Sequence, residues 1–175
     1  MIGKLLASFI VICGALAGGI MYYLQVYAFY DEVVPNGFSD VVLTKRLDSN
    51  TEPIPYSAFQ AINSKSSPIR YRACFQSAKS PAELEADYKK IADAVPLNAP
   101  YWFDCFDAKD LGSKIESGDA VSFLAIGNIF YGIDRVVTIL PDGSGYSWNR
   151  INDCGALAFD GKSLPPECPL PPESP

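Results

Sequence analysis

The chain has 175 residues, a net charge of −6 at neutral pH and no histidine. This length fits one domain plus an anchor, and the lack of histidine excludes Ser-His-Asp and Cys-His catalytic sites and histidine-based zinc sites. Lys4 is the only charged residue before Asp31, so the rest of the chain carries 13 of the 14 basic residues and all 20 acidic ones, a net charge of −7. Because no basic tract is present, we expect no nucleic-acid partner.

The first predicted element is a transmembrane helix over residues 5–30, which contain no charged side chain. A helix of this length spans about 39 Å, more than the ~30 Å of a bilayer's hydrocarbon core. Tyrosines cluster at its distal end, where aromatic rings favour the membrane–water interface. A cleaved signal peptide is the alternative, since Ala15-Leu16-Ala17 fits a cleavage site. The apolar run continues well past Ala17, which favours an uncleaved anchor in the lipid bilayer.

The charges on either side of this helix predict its orientation. Lys4 precedes it, whereas Asp31 and Glu32 follow it, and positive residues are retained in the cytoplasm. We therefore expect a cytoplasmic N-terminus at residues 1–4 and a periplasmic domain at residues 31–163.

Within the helix, Gly14 and Gly18 form a G-x-x-x-G pair, a spacing that lets two helices approach closely. Glycine is also common in membrane helices without such a role. The pair is a candidate contact for a second membrane protein.

The domain begins with patterns of both strand and helix. Residues 40–47 and 68–76 alternate apolar and polar side chains, which predicts two strands, and residues 50–67 look like a loop because they contain Pro53 and Pro55. Ser80 and Glu83 form a capping box with proline at the first helical position, which predicts a helix to about residue 95.

The second half of the domain predicts one more helix and a meander of strands. Asp107 can cap a helix over residues 108–116 that ends at Gly118. Three strands follow, with turns at Gly127-Asn128 and at Pro141-Asp142-Gly143; the strands cover residues 120–126, 129–140 and 145–151. This order predicts an α+β fold, an antiparallel sheet with about two packed helices. The tail, residues 164–175, is half proline and predicts polyproline-like or disordered chain.

Four cysteines lie in the exported part of the chain, widely separated, and the fifth, Cys13, lies in the membrane segment. Without Cys-x-x-Cys pairs, neither a zinc ribbon nor a redox site is indicated, and an oxidising compartment favours two structural disulfides. Three pairings are possible. We expect Cys74–Cys105, because the helix between them returns the chain, and Cys154–Cys168, because the tail has no other attachment.

Three sets of side chains are candidates for a site. Asp104, Asp107 and Asp110 have the spacing of a helical carboxylate face, but helix capping explains them better than a calcium site, which needs more oxygen ligands. Arg70 and Arg72 are candidate partners for Asp134 across the sheet, as a structural ion pair or as an anion-binding face. The third set is aromatic, a groove or a core: Tyr101, Trp102, Phe103, Phe106 and Trp148.

Five segments carry a resemblance to a known family: YYLQVYAFY (22–30), PIRYRACF (68–75), WFDCFDA (102–108), YGIDRVV (131–137) and INDCG (151–155). They resemble a family of unknown function whose members are single-pass membrane proteins of Rhodobacter-like alphaproteobacteria. The resemblance implies a bacterial inner membrane and a periplasmic domain, and no established activity.

The functional expectation is therefore a non-enzymatic, membrane-anchored interaction protein, an accessory or assembly partner of an inner-membrane complex. We expect no catalytic residue, no metal ligand and no cofactor. An extracytoplasmic ligand-binding or sensor module is the alternative, although only four residues precede the helix.

Overall fold

The computed structural model describes residues 2–172. It begins with a helix, α1 (Ile2–Tyr23), that continues through one π-helical stretch, Leu24–Ala28. None of these residues is packed inside the protein, and the helix is long and apolar enough to cross a membrane.

The rest of the chain is α+β, as the sequence predicts. The strands are β1 (Asp31–Glu32), β2 (Val42–Thr44), β3 (Thr51–Pro53), β4 (Tyr56–Asn63), β5 (Arg72–Ser77), β6 (Val121–Phe130), β7 (Ile133–Ile139) and β8 (Ser144–Ile151). The helices are α2 (Pro81–Glu85), α3 (Ala108–Ser117) and α4 (Asp153–Phe159), and a 3-10 turn at Pro68–Arg70 precedes β5.

Six strands form one antiparallel sheet in the order β1-β4-β5-β8-β7-β6, and β2 and β3 form a separate hairpin. Both faces of the large sheet are covered. Phe75 belongs to a core shared with β2, α2 and β6, whereas its neighbour Cys74 belongs to a second core shared with α3, Phe106 and Trp148. Because successive side chains of a strand point to opposite faces, these are two separate layers.

The predicted helix over residues 81–95 is wrong after Glu85. Its start is right, since the capping box is present and Glu83 accepts a hydrogen bond from the Ser80 backbone at 2.7 Å. The chain then becomes extended: Lys89 N donates to Thr44 O of β2 at 2.9 Å, and Leu124 N of β6 donates to Lys89 O at 2.8 Å. Pairing with these two strands closes the edge of β6 and outweighs the helical pattern.

Three further differences concern strands and turns. The segment predicted as a loop at residues 50–67 contains β3 and the eight-residue β4. The predicted first two strands are shorter, Val42–Thr44 and Arg72–Ser77. β6 continues through Gly127 and Asn128, and the turn lies after Phe130, at Gly132 with a φ of 73°.

Helix α4 was not predicted, and it packs on that turn. Asn152 caps it by accepting a hydrogen bond from Gly155 N at 2.8 Å. A methyl group on Gly155 would lie 2.6 Å from the Gly132 Cα, so the close approach of helix and turn requires glycine. In contrast, a methyl group on Gly112 of α3 would meet only Pro96 Cδ, at 3.8 Å.

These two glycines give opposite predictions for substitution by alanine. Gly155→Ala is expected to lower the free energy of unfolding by about 1–3 kcal/mol, because the turn at Gly132 must move. Gly112→Ala is expected to raise it by roughly 0.5–1 kcal/mol, because alanine favours the helix. Chemical denaturation in detergent measures both, and equal stability of Gly155→Ala and the unaltered protein would mean that α4 does not sit on this turn.

Candidate functional site

The helix of residues 2–28 is fixed to the domain through Trp102. Its indole Nε1 donates a hydrogen bond to Val26 O at 2.7 Å. The last carbonyl groups of a helix have no partner within the helix, so the indole caps this end. The Trp102 ring also stacks on Tyr27, with ring centroids 6.3 Å apart, and meets the edge of Tyr30 at 5.9 Å.

Two more domain residues contact the end of the helix. The Tyr101 hydroxyl hydrogen-bonds the Tyr27 hydroxyl, and their rings meet edge to face. Arg70 Nη2 donates to Gln25 Oε1 at 3.2 Å, and its guanidinium carbon lies 5.6 Å from the centre of the Tyr30 ring. Helix and domain are therefore joined by side-chain contacts as well as by the chain.

Trp102 lies in an aromatic segment, residues 97–106, that contains no helix or strand and is held by Arg72. The buried guanidinium of Arg72 donates to Leu97 O at 2.7 Å and to Asn98 O at 2.9 Å. It also donates to the carbonyl oxygens of Ile69 and Tyr71, at 2.8 and 2.7 Å. Burial lowers the pKa of Arg72 to about 10, so the group stays charged at neutral pH.

The structure joins Cys74 to Cys105 and Cys154 to Cys168, the pairing expected from the sequence. The first bridge ties β5 to the aromatic segment three residues after Trp102. The second ties α4 to the proline-rich tail, which Tyr131 also holds by donating a hydrogen bond to Pro169 O at 3.1 Å.

A cavity of about 510 Å³ opens beside this junction. Its walls are the chain after β1, the end of β4 and the aromatic segment; the lining residues are Glu32, Val33, Val34, Pro35, Phe59, Gln60, Ala61, Ile62, Trp102, Phe103, Asp104 and Cys105. Most of these side chains are apolar or small, and two of them, Glu32 and Asp104, are acidic.

The cavity lies along an open edge of the large sheet. β1 covers β4 only at Asn63 and Ile62, and Val33 N adds one hydrogen bond to Ala61 O at 2.8 Å. Within residues 2–172, no strand pairs with the other side of Tyr56–Gln60. An extended segment from another chain has backbone groups to pair with there.

The predicted partnership of Asp134 with Arg70 or Arg72 is wrong. Asp134 lies on β7, which β8 separates from β5. Its Oδ1 accepts hydrogen bonds from Asn128 N at 2.9 Å and from Asn152 Nδ2 at 2.8 Å, so it secures the turn after β6. Arg72 donates hydrogen bonds to backbone carbonyl groups. Of the two arginines, Arg70 is the one that contacts the membrane helix, through Gln25.

Asp107 and Asp110 stabilise the start of helix α3, as the capping interpretation predicts. Asp107 accepts hydrogen bonds from Lys109 N and Asp110 N at the start of α3, and Asp110 pairs with Lys114 at 2.7 Å. In the part of the chain that the structure describes, no group of three or more acidic, cysteine or histidine residues is placed to hold a metal ion.

The predicted aromatic set divides between core and junction. Phe103, Phe106 and Trp148 are buried, whereas Tyr101 remains 66% exposed beside the helix. Gly14 and Gly18 lie on an exposed face of α1, where an added Cβ would meet nothing within 4 Å. The cavity itself was missed, because residues 59–62 carry no clear strand pattern and residues 32–35 no motif.

A family model described as a family of unknown function, DUF6446, matches residues 41–169. The chain belongs to this family. The DUF6446 match includes Arg72, both disulfides and the domain side of the cavity, whereas α1, β1 and residues 32–35 lie before it. No curated protein and no solved structure matches the chain.

The two disulfides are expected to differ in their effect on stability. In the chain-entropy model, a bridge across 31 residues stabilises by about 4 kcal/mol and one across 14 residues by about 3 kcal/mol. Replacing Cys74 and Cys105 by serine should also release the aromatic segment, whereas replacing Cys154 and Cys168 should mainly release the tail.

Thermal unfolding of the two double variants and peptide mapping under non-reducing conditions measure this difference. A Cys74–Cys154 or Cys105–Cys154 bridge, or four reduced thiols in the exported protein, would contradict the pairing.

Proposed function

We propose that this protein is a non-enzymatic, single-pass protein of a bacterial inner membrane whose periplasmic domain binds another membrane protein. The observation that carries the proposal is the cavity beside the junction between the helix and the domain. It combines a partly apolar lining with an open strand edge, and it lies within a few residues of the membrane segment.

The cavity has the chemistry of a peptide-binding surface. An extended segment of a partner would pair with the edge of β4 and place an apolar side chain against Phe59 and Val34. Glu32 and Asp104 would favour a basic residue next to that side chain.

The localisation rests on charge and on the disulfides. Lys4 before the helix and Asp31 and Glu32 after it favour a cytoplasmic N-terminus. Two disulfides favour an oxidising compartment for the domain. The resemblance to single-pass proteins of Rhodobacter-like alphaproteobacteria supports the same assignment to the inner membrane and periplasm.

The face of α1 that carries Gly14 and Gly18 supplies a second contact in this proposal. Both positions are open, so a partner helix can approach the backbone closely. A partner bound by the cavity and by this face would be held on both sides of the membrane–water interface.

A ligand-binding or sensor module built on Arg70 and Arg72 has less support. The Arg72 guanidinium uses four of its five N–H groups on backbone carbonyl oxygens, and the residue is only 5% exposed, so a ligand has little access to it. Arg70 is in contact with Gln25 and Tyr30 of the helix end.

Photo-crosslinking in native membranes tests the partner surface. A photoreactive residue at Val34, which lines the cavity and is 86% exposed, is expected to give one discrete adduct with another membrane protein. The same residue at Leu170, which is 84% exposed and outside the cavity lining, is the matched control and should give none. Glu32→Arg and the double change Gly14→Leu and Gly18→Leu should each weaken the Val34 adduct. Equal adducts from Val34 and Leu170, or no adduct from Val34, would rule out this surface.

Reporter fusions test the orientation separately. Alkaline phosphatase, which is active only outside the cytoplasm, is expected to be active when fused after residue 40, because Lys4 keeps the N-terminus inside. The membrane-bound protein should also keep its original N-terminus. Activity only of a cytoplasmic reporter would reverse the topology, and a mature chain beginning near Gly18 would replace the anchor by a cleaved signal peptide.

A further inference from the structure

We propose that Tyr101 and Trp102 lie in the headgroup region of the membrane that holds α1, so that the domain rests on the lipid surface at this corner. The aromatic residues at the membrane–water interface would then come from two parts of the protein, the helix and the folded domain. This inference rests on the membrane anchoring in the proposed function, and it does not depend on the partner protein.

The depth of the helix residues that Trp102 contacts is the first argument. The 27 residues of Ile2–Ala28 extend about 40 Å, roughly 10 Å more than the hydrocarbon core requires. Val26 and Tyr27 belong to the last turn of this span, beyond the tyrosines at positions 22 and 23. Any residue packed directly against Val26 and Tyr27 therefore lies near the level where the helix leaves the lipid.

The side chains themselves are the second argument. Tryptophan and tyrosine, with an apolar ring and one polar group, are the residues that concentrate at membrane–water interfaces. Tyr101 is 66% exposed although it packs beside the helix, and Tyr22 and Tyr23 are 56% and 60% exposed. The helix therefore carries one group of exposed tyrosines, and Tyr101 adds another exposed tyrosine beside them on the domain.

The rigidity of the aromatic segment is the third argument. The Cys74–Cys105 bridge and the two hydrogen bonds from Arg72 to Leu97 O and Asn98 O fix the segment to β5. Trp102 in turn fixes the helix end by its hydrogen bond to Val26 O. The aromatic segment is thus held to β5 on one side and to the membrane helix on the other. Tyr101 cannot move away from the helix end unless the domain itself changes.

The charge of the protein decides what kind of lipid contact this is. The chain beyond Lys4 carries a net charge of −7, so anionic headgroups do not attract the domain as a whole. Arg70 is the cation that contacts the helix end, and Asp104 lies within two residues of Trp102. The contact therefore depends on the partition of the aromatic side chains into the headgroup region and not on charge. It should persist in zwitterionic lipid and at high salt.

Quenching of tryptophan fluorescence by brominated lipid tests this directly, because the chain has two tryptophans and Trp148 is fully buried. The full-length protein is reconstituted in vesicles of phosphatidylcholine that carry bromine at either a shallow or a deep acyl position. We expect shallow bromine to quench the Trp102 emission more than deep bromine does, equally at low and high salt. Trp102→Phe should remove the quenched part and leave the emission of Trp148.

Two further variants serve as controls. Tyr101→Asp retains both tryptophans, and it should reduce the quenching by shallow bromine because the charged side chain moves the corner towards water. Asp142→Trp, introduced together with Trp102→Phe, places an exposed tryptophan on the turn between β7 and β8 at the opposite end of the sheet. Its emission should be quenched by iodide from the water and not by brominated lipid.

Flotation of the vesicles separates the possible failures. A protein that does not float with the vesicles would refute the membrane anchor. A protein that floats while shallow bromine leaves its tryptophan emission unchanged would overturn the lipid contact, whether or not iodide quenches Trp102.

Discussion

The buried guanidinium of Arg72 holds the part of the molecule on which the candidate site depends. The aromatic segment has no helix or strand of its own, so its backbone cannot satisfy itself by regular hydrogen bonds. Arg72 donates to two carbonyl groups of this segment and to two in the residues just before its own strand. A buried charge without a carboxylate is stable only where such dipoles surround it, so the arginine and the segment require each other.

This attachment connects the core of the domain to the membrane helix. β5 carries both Arg72 and Cys74, and these hold the aromatic segment at its beginning and near its end. The segment then places Trp102 against the last helical turn, where the indole caps a carbonyl group that the helix leaves unpaired. The direction in which the helix leaves the domain is thus set by the sheet, and the cavity beside it takes its shape from the same contacts.

The open edge of β4 is the other feature of functional interest. Most edges in this molecule are covered: the extended chain around Lys89 closes β6 by pairing with it and with β2. Residues 61–63 of β4 are covered by β1 and by the hydrogen bond from Val33 N to Ala61 O, and the open part of the strand contains a bulge at Ala58, with a φ of 51°. A bulge limits unspecific pairing along an edge, so Phe59 and Gln60, which line the cavity between the bulge and the covered part, are the positions left for a specific partner.

The sequence by itself determined the apolar helix, the α+β class, the capping of α3 by Asp107 and the three strands after it, because these depend on local periodicity, capping and turn residues. It also indicated two disulfides. It misplaced the turn after β6, which lies at Gly132 and not at Gly127-Asn128. Only the tertiary structure decided that the chain after Glu85 is extended, since its hydrogen bonds come from β2 and β6, which are distant in sequence. Likewise, Arg70 and Arg72 are only candidate partners for Asp134 in the sequence, and the strand order places β8 between the strand of Arg72 and that of Asp134. The cavity and the contact between Trp102 and Val26 join residues far apart in the chain, and no local pattern encodes such a meeting.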